Sequence, residues 1–144
     1  MKKRVSIIIF LISVLVIISG YYLYPRTGTL NSFLLSHYNK ENIEQIEIRS
    51  TYSGQYKSVR DKDEINKMLS DFSNIKLVQH YGSTSDREKG SYHIYIYDEN
   101  SVTTEIIIQG KEYINIINSS NNSNREYKVI DDSLDLDFIN EFLS

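Results

Sequence analysis

The hydrophobic positions of this chain fall into blocks of different period. From Val5 to Tyr24 they run almost continuously, interrupted only by Ser6, Ser13, Ser19 and Gly20. About 20 residues at a helical rise of about 1.5 Å cover about 30 Å, the thickness of a bilayer's hydrocarbon core. Backbone groups in that environment must pair within the segment, so the run predicts a transmembrane helix, which Pro25 ends. Lys2, Lys3 and Arg4 precede it and set the topology, holding the N-terminus in the cytoplasm and sending the rest of the chain outward. Tyr21, Tyr22 and Tyr24 stand where an interfacial aromatic belt belongs. A cleaved signal peptide, with secretion of the remainder, is the competing assignment; its best cleavage point follows Gly20, with Ile18 where a small residue is wanted. A buried core helix is the third.

Beyond the run the blocks shorten. Leu30, Phe33, Leu34 and Leu35 gather on one side of a short helix, which either extends the span or lies against the following domain. Ile43, Ile46 and Ile48 open a strand to about Tyr52, Ser53–Gly54 marks a turn, and residues 55–60 return as the second strand of a hairpin. Asp61 with Glu64 three positions on is a capping-box signal, and Ile65, Met68, Leu69 and Phe72 then repeat at helical spacing. Asn74 closes that helix. Strands are predicted over 75–80, 91–97, 102–109, 112–118 and 125–130, separated by polar segments at 81–90, 98–100, 110–111 and 119–124. Leu134, Phe138, Ile139, Phe142 and Leu143 complete the chain as an amphipathic helix, with Asp132 or Ser133 as its cap.

Short connections between successive strands predict antiparallel pairing. The expected architecture is α+β: an N-terminal transmembrane helix, then a small antiparallel sheet with two amphipathic helices packed on one face. The expected divisions are 1–26 for the cytoplasmic start and signal-anchor, 27–42 for a junction with a short helix, and 43–144 for an extracytoplasmic domain.

Charge narrows the choice of partner. Residues 1–26 hold four basic residues and no acid, leaving 12 basic and 19 acidic residues beyond them, a net of −7. An acidic domain lacks the clustered Lys and Arg that grip a phosphate backbone, so nucleic acid is not an expected partner. No cysteine occurs, which excludes disulfides, thiolate metal sites, a cysteine nucleophile and a lipoprotein's lipid attachment. The abundance of Ile, Asn, Ser, Tyr and Lys with no Ala or Trp suits a low-G+C bacterial genome.

Candidate chemistry is sparse. His37, His80 and His93 have no Gly-x-Ser-x-Gly elbow to serve, so no catalytic residue is assigned. Asp131, Asp132, Asp135 and Asp137 lack the ligand alternation, central Gly and closing Glu of a calcium loop. They suit the start of a helix instead, as do Asp61 and Asp63. No metal ligand or cofactor is expected. On the segment Tyr92–Tyr97, Tyr92, Ile94 and Ile96 point one way and His93, Tyr95 and Tyr97 the other. The first set fits a core. The second is the candidate docking face, with Tyr as an ordinary strand former for the plainer explanation.

The layout resembles that of small membrane-anchored or lipoprotein-like proteins of unknown function from Gram-positive bacteria. The resemblance rests on the Lys-Lys-Arg start with its apolar run, Ile46-Glu47-Ile48 with its hairpin, Asp61-Lys62-Asp63-Glu64-Ile65 opening a helix, the tyrosine-rich strands and the final Leu136–Leu143 segment. It implies an extracytoplasmic α+β domain and carries no catalytic residue. The expected function is therefore non-enzymatic: a membrane-held domain that contacts an envelope protein or ligand, its oligomeric state open. An immunity protein against a secreted toxin and a small cell-wall hydrolase are the alternatives.

Overall fold

The computed structural model describes residues 2–82, 90–99, 101–132 and 134–144, with backbone alone for residues 2–4, 23 and 101. The side chains of Lys2, Lys3 and Arg4, Ser133, and most of the polar 81–90 segment thus lie outside the described residues.

Helix α1 (Lys2–Leu23) is apolar around its whole circumference, and none of its Val5–Tyr22 stretch is buried. It is long and apolar enough to cross a membrane or to act as a signal sequence. A core helix would be covered by the domain, so that third assignment is overturned. Tyr24 N–H closes the last turn on Gly20 O at 3.0 Å. Tyr21, Tyr22 and Tyr24 are all exposed, the first two meeting edge to face at 5.7 Å.

The rest of the chain is one antiparallel sheet of eight strands with short helices. The strands are β1 (Thr27–Thr29), β2 (Ile43–Ser50), β3 (Tyr56–Val59), β4 (Lys76–Gln79), β5 (Tyr92–Asp98), β6 (Ser101–Gln109), β7 (Tyr113–Asn118) and β8 (Ser123–Val129). Their spatial order is β1-β4-β8-β7-β6-β5-β2-β3. Seven of the eight follow from hydrophobic alternation. β1, the tripeptide Thr-Gly-Thr, has no apolar period to reveal it and exists because it pairs with β4 from Thr27↔Val78 to Thr29↔Lys76.

Residues 30–33 form α2, a single turn with a reciprocal cap. Thr29 Oγ1 accepts from Ser32 N–H at 3.2 Å, while Ser32 Oγ accepts from Thr29 N–H at 2.9 Å. Leu30, Leu34 and Leu35 are buried, so this segment lies against the domain and does not prolong α1. Gly28 is needed here: a Cβ would come within 2.6 Å of Ser32 Oγ and 3.1 Å of the Phe33 ring.

Helix α3 (Lys62–Ser73) carries the chain from β3, at one edge of the sheet, to β4, beside the other edge. It buries Ile65, Met68, Leu69 and Phe72, the stripe its spacing predicts. Helix α4 (Asp137–Leu143) buries Ile139 and Leu143, and Phe138 meets Phe72 edge to face at 4.9 Å. The cap of α4 differs from expectation. Asp131 and Asp132 take left-handed backbone angles (φ 61° and 45°) in a turn after β8, and Asp135 Oδ1 accepts from Asp137 N–H at 2.8 Å. The helix starts too late for Asp132 to reach it.

The core follows from alternation. Ile46 and Ile48 of β2 pair with Ile96 and Ile94 of β5, which pair in turn with Thr104 and Ile106 of β6. Ile106 and Ile108 continue to Ile116 and Ile114 of β7. All of these are buried. Thr104 is the one polar member of that row, and its hydroxyl bonds the Tyr38 phenol, as a buried polar group requires.

Asp61 Oδ1 accepts from both Asp63 and Glu64 N–H at 3.1 and 3.0 Å. Asp61→Ala should therefore cost about 1 kcal/mol of stability. A urea titration read by far-ultraviolet circular dichroism checks it, and an unchanged midpoint would show that the cap contributes nothing.

Candidate binding face and cleft

Side chains of β5 alternate as the sequence predicts: Tyr92, Ile94 and Ile96 are buried, while His93, Tyr95 and Tyr97 are half-buried on the opposite face. The pairings extend that second face across the sheet. One row runs Arg49–His93–Ile107–Asn115–Glu126, and a second runs Glu47–Tyr95–Glu105–Ile117–Asn124. The non-alternating Ile106–Ile108 run resolves accordingly, with Ile107 on this face and its neighbours in the core.

The polar groups of the face hold one another. Glu47 is buried to 8% exposure; its Oε1 accepts from Gln45 Nε2 at 2.8 Å and its Oε2 from Arg49 Nη2 at 3.1 Å. The Arg49 guanidinium lies over two rings, Tyr56 at 5.4 Å and Tyr95 at 5.2 Å from the centroids. A cation is thus seated between aromatic faces and above a carboxylate. Burial pushes the Tyr95 phenol above its ordinary pKa, and the adjacent Glu105 carboxylate adds to the shift. Burial likewise raises Tyr97, reinforced by its bond to Glu47.

His93 is bonded through both nitrogens, to Ser91 Oγ at 2.8 Å from Nε2 and to Glu105 Oε1 at 2.7 Å from Nδ1. A carboxylate only accepts, so Nδ1 carries the proton toward Glu105, and in the neutral ring Nε2 accepts from the serine hydroxyl. Serine to Nε2 and acid to Nδ1 is the bond order of an acyl-transfer relay. The relay also requires free N–H donors beside the serine for the oxyanion. Here Ser91 N–H donates to Thr51 Oγ1 at 2.6 Å, Thr51 N–H donates to Ser91 O at 2.9 Å, and Ser91 is buried. The structure therefore brings His93, Tyr95 and Tyr97 together and adds Arg49, Glu47, Glu105 and Ser91, which come from other strands or from outside the period and carry no local signature.

Tyr21 and Tyr22 lie in the last turn of α1 and Tyr24 just beyond it, and none of them belongs to the strands of this face. Among the described residues no group of three or more His, Cys, Asp or Glu is placed to hold a metal ion.

A second feature escaped the sequence altogether. Between α2 and the β7–β8 hairpin lies a cleft of about 270 Å³ with Phe33, Leu34, Ile116 and Tyr127 for its apolar wall. Arg125, His37, Asn118, Asn121 and Ser123 complete it. Burial raises the Tyr127 phenol, opposed by a hydrogen bond from Arg125 and by the nearby charge of Arg26. A histidine from the junction and polar residues from a distant hairpin have no spacing that would connect them in sequence.

No family model matches the chain, and no curated protein or solved structure matches it either.

Phenols that keep their protons in the folded state make alkaline pH destabilising. Below the unfolded value of 10.0 the stabilisation is fully present, and it is lost as pH rises through the higher folded values. Denaturant midpoints measured from about pH 9 to about pH 11 should fall, and Tyr95→Phe with Tyr97→Phe should flatten the fall. The residual slope belongs to Tyr92 and Tyr127, which are also raised. An identical slope in the double variant would remove Tyr95 and Tyr97 from this account.

Proposed function

We propose that this chain is a single-pass membrane protein whose domain lies outside the cytoplasm and acts by contact, docking a basic segment of an envelope partner on the face that carries His93, Tyr95 and Tyr97. The observation that carries the proposal is the seat of Arg49. A guanidinium already sits between the Tyr56 and Tyr95 rings and on the Glu47 carboxylate, so the face has the chemistry to take a partner's Arg or Lys in the same way. Net charge agrees, since the domain is acidic and would attract a basic chain. In this proposal α3 and α4 form the layer over the isoleucine face, which leaves the tyrosine face for the partner. The exposed apolar surface of α1 supports a membrane as the place of action, and the Lys-Lys-Arg start supports the outward orientation. Secretion after cleavage of the same segment is the alternative, and the kinship with Gram-positive membrane-anchored proteins rests on layout alone. An immunity protein facing a basic peptide toxin would use the same surface.

A cell-wall hydrolase has one observation in its favour, the Ser91–His93–Glu105 chain. The engaged N–H groups of Ser91 and Thr51 weigh against it.

The test uses full-length protein in maltoside micelles, titrated with lysine-rich and glutamate-rich peptides of equal length. The lysine-rich peptide should bind, more weakly as salt rises, and Tyr95→Ala with Tyr97→Ala should weaken it by about fivefold or more. Equal binding of the two peptides, or no effect of the substitutions, would overturn the docking face. Labelling of Ser91 by a fluorophosphonate would overturn the contact mechanism in favour of the hydrolase. In intact, wall-stripped cells, an externally added protease should remove a C-terminal tag; a protected tag reverses the topology.

A further inference from the structure

We propose that the cleft between α2 and the β7–β8 hairpin holds the anionic phosphodiester headgroup of a membrane lipid. This rests on the tethered arrangement above, and four observations carry it beyond that.

The first is position. Gln79 N–H donates to Arg26 O at 2.8 Å, so the chain joins the sheet immediately after α1. Gln79 pairs with Tyr127, and β8 then continues back through Arg125 toward the 119–122 turn. The cleft therefore opens at the end of β8 that lies beside the exit from the apolar helix.

The second is donor chemistry. Among the described residues no acid lines the cleft. Asn118 Oδ1 accepts from the backbone N–H of Ser120 and Asn121, and Asn121 Oδ1 accepts from Ser123 N–H. Asn118 Oδ1 has both lone pairs committed to the turn and Asn121 Oδ1 one, so the N–H groups of both amides are the groups left free to donate. Arg125 lies beside the Tyr127 phenol in the cleft lining, and among the described residues no carboxylate pairs with it. A guanidinium beside amide and hydroxyl donors is a phosphate-type site.

The third is the break in the sheet pattern. Ile116 pairs with Arg125, and the next pair on that face is Asn118 with Ser123. This face is mostly apolar elsewhere, with Thr104 opposite Asn118 as a polar exception, and it turns polar at the hairpin end. The fourth is the wall. Phe33 packs on Tyr127 at 4.7 Å and is held by the absence of a Cβ at Gly28, so the apolar side of the cleft is fixed in place. Apolar wall and anion-binding rim together fit the glycerol-phosphate region of a lipid better than a free ion. Residues 27–144 carry a net charge of −7, and Arg125 within them together with Arg26 just before them makes a local exception that permits approach to an anionic surface.

The test is a titration of full-length, isotope-labelled protein in maltoside micelles, which contain no phosphate. Dihexanoyl phosphatidylglycerol, dihexanoyl phosphatidylcholine and inorganic phosphate are added separately while the side-chain amide signals of Asn118 and Asn121 are followed. Saturable shifts with phosphatidylglycerol, weakened about tenfold in Arg125→Gln while the rest of the spectrum is unchanged, are expected. Ser123→Ala, a milder change, should weaken binding in the same direction. Equal affinity for inorganic phosphate or for phosphatidylcholine would overturn the lipid assignment. Absence of shifts at both asparagines, or binding indifferent to Arg125→Gln, would overturn the site itself. Failure of the tether would appear separately, as full-length protein that stays dispersed without detergent.

Discussion

Strand register across the centre of the sheet is the constraint on which the rest depends. β5 lies between β2 and β6, and its residues alternate strictly between the isoleucine face and the tyrosine face. A slip of one residue would drive His93, Tyr95 and Tyr97 into the core and lift Tyr92, Ile94 and Ile96 into water. The cost would be both lost apolar burial and the stranding of polar groups without partners. Register thus secures the core and the candidate docking face together. The bond from His93 Nδ1 to Glu105, which crosses from β5 to β6, exists only in this pairing.

The edges of the sheet have a different role. β1 and β3 are three and four residues long, too short to template long pairing with another chain. β1 also fixes the domain to the end of α1, since only Tyr24, Pro25 and Arg26 separate the helix from the sheet. If α1 holds the chain in a membrane as proposed, this short connection would keep the proposed lipid cleft and tyrosine face close to the bilayer.

The two faces of the sheet divide the chemistry. One is mostly isoleucine and belongs to the buried core, whose members also include the stripe of α3, Ile139 and Leu143 of α4 and the leucines of the junction. The other is a bonded carpet of Tyr, Glu, His and Arg in which each charge is met by a neighbour. Such a network holds its side chains in place, so the proposed docking would lose less conformational entropy.

What was legible in the sequence is what depends on local period. The apolar run of α1, the Asp61 cap with its Ile65–Phe72 stripe, the strands from β2 onward and the division of β5 into two faces all follow from residues within a few positions of one another. β1 has no period, and its existence depends on β4, which is nearly fifty residues away in sequence. The cap of α4 failed for a related reason: a left-handed turn at Asp131 and Asp132 delays the helix, and such a turn is set by how the chain leaves the sheet. The Ser91–His93–Glu105 chain and the Arg125 cleft were invisible because their members come from separate strands and from the junction. By itself, the sequence determined the apolar helix, the element types and which residues of each strand share a face, because side-chain direction is a local property of the backbone. Only the tertiary structure decided which faces became neighbours, since hydrogen bonds between strands, and not proximity along the chain, bring those groups together.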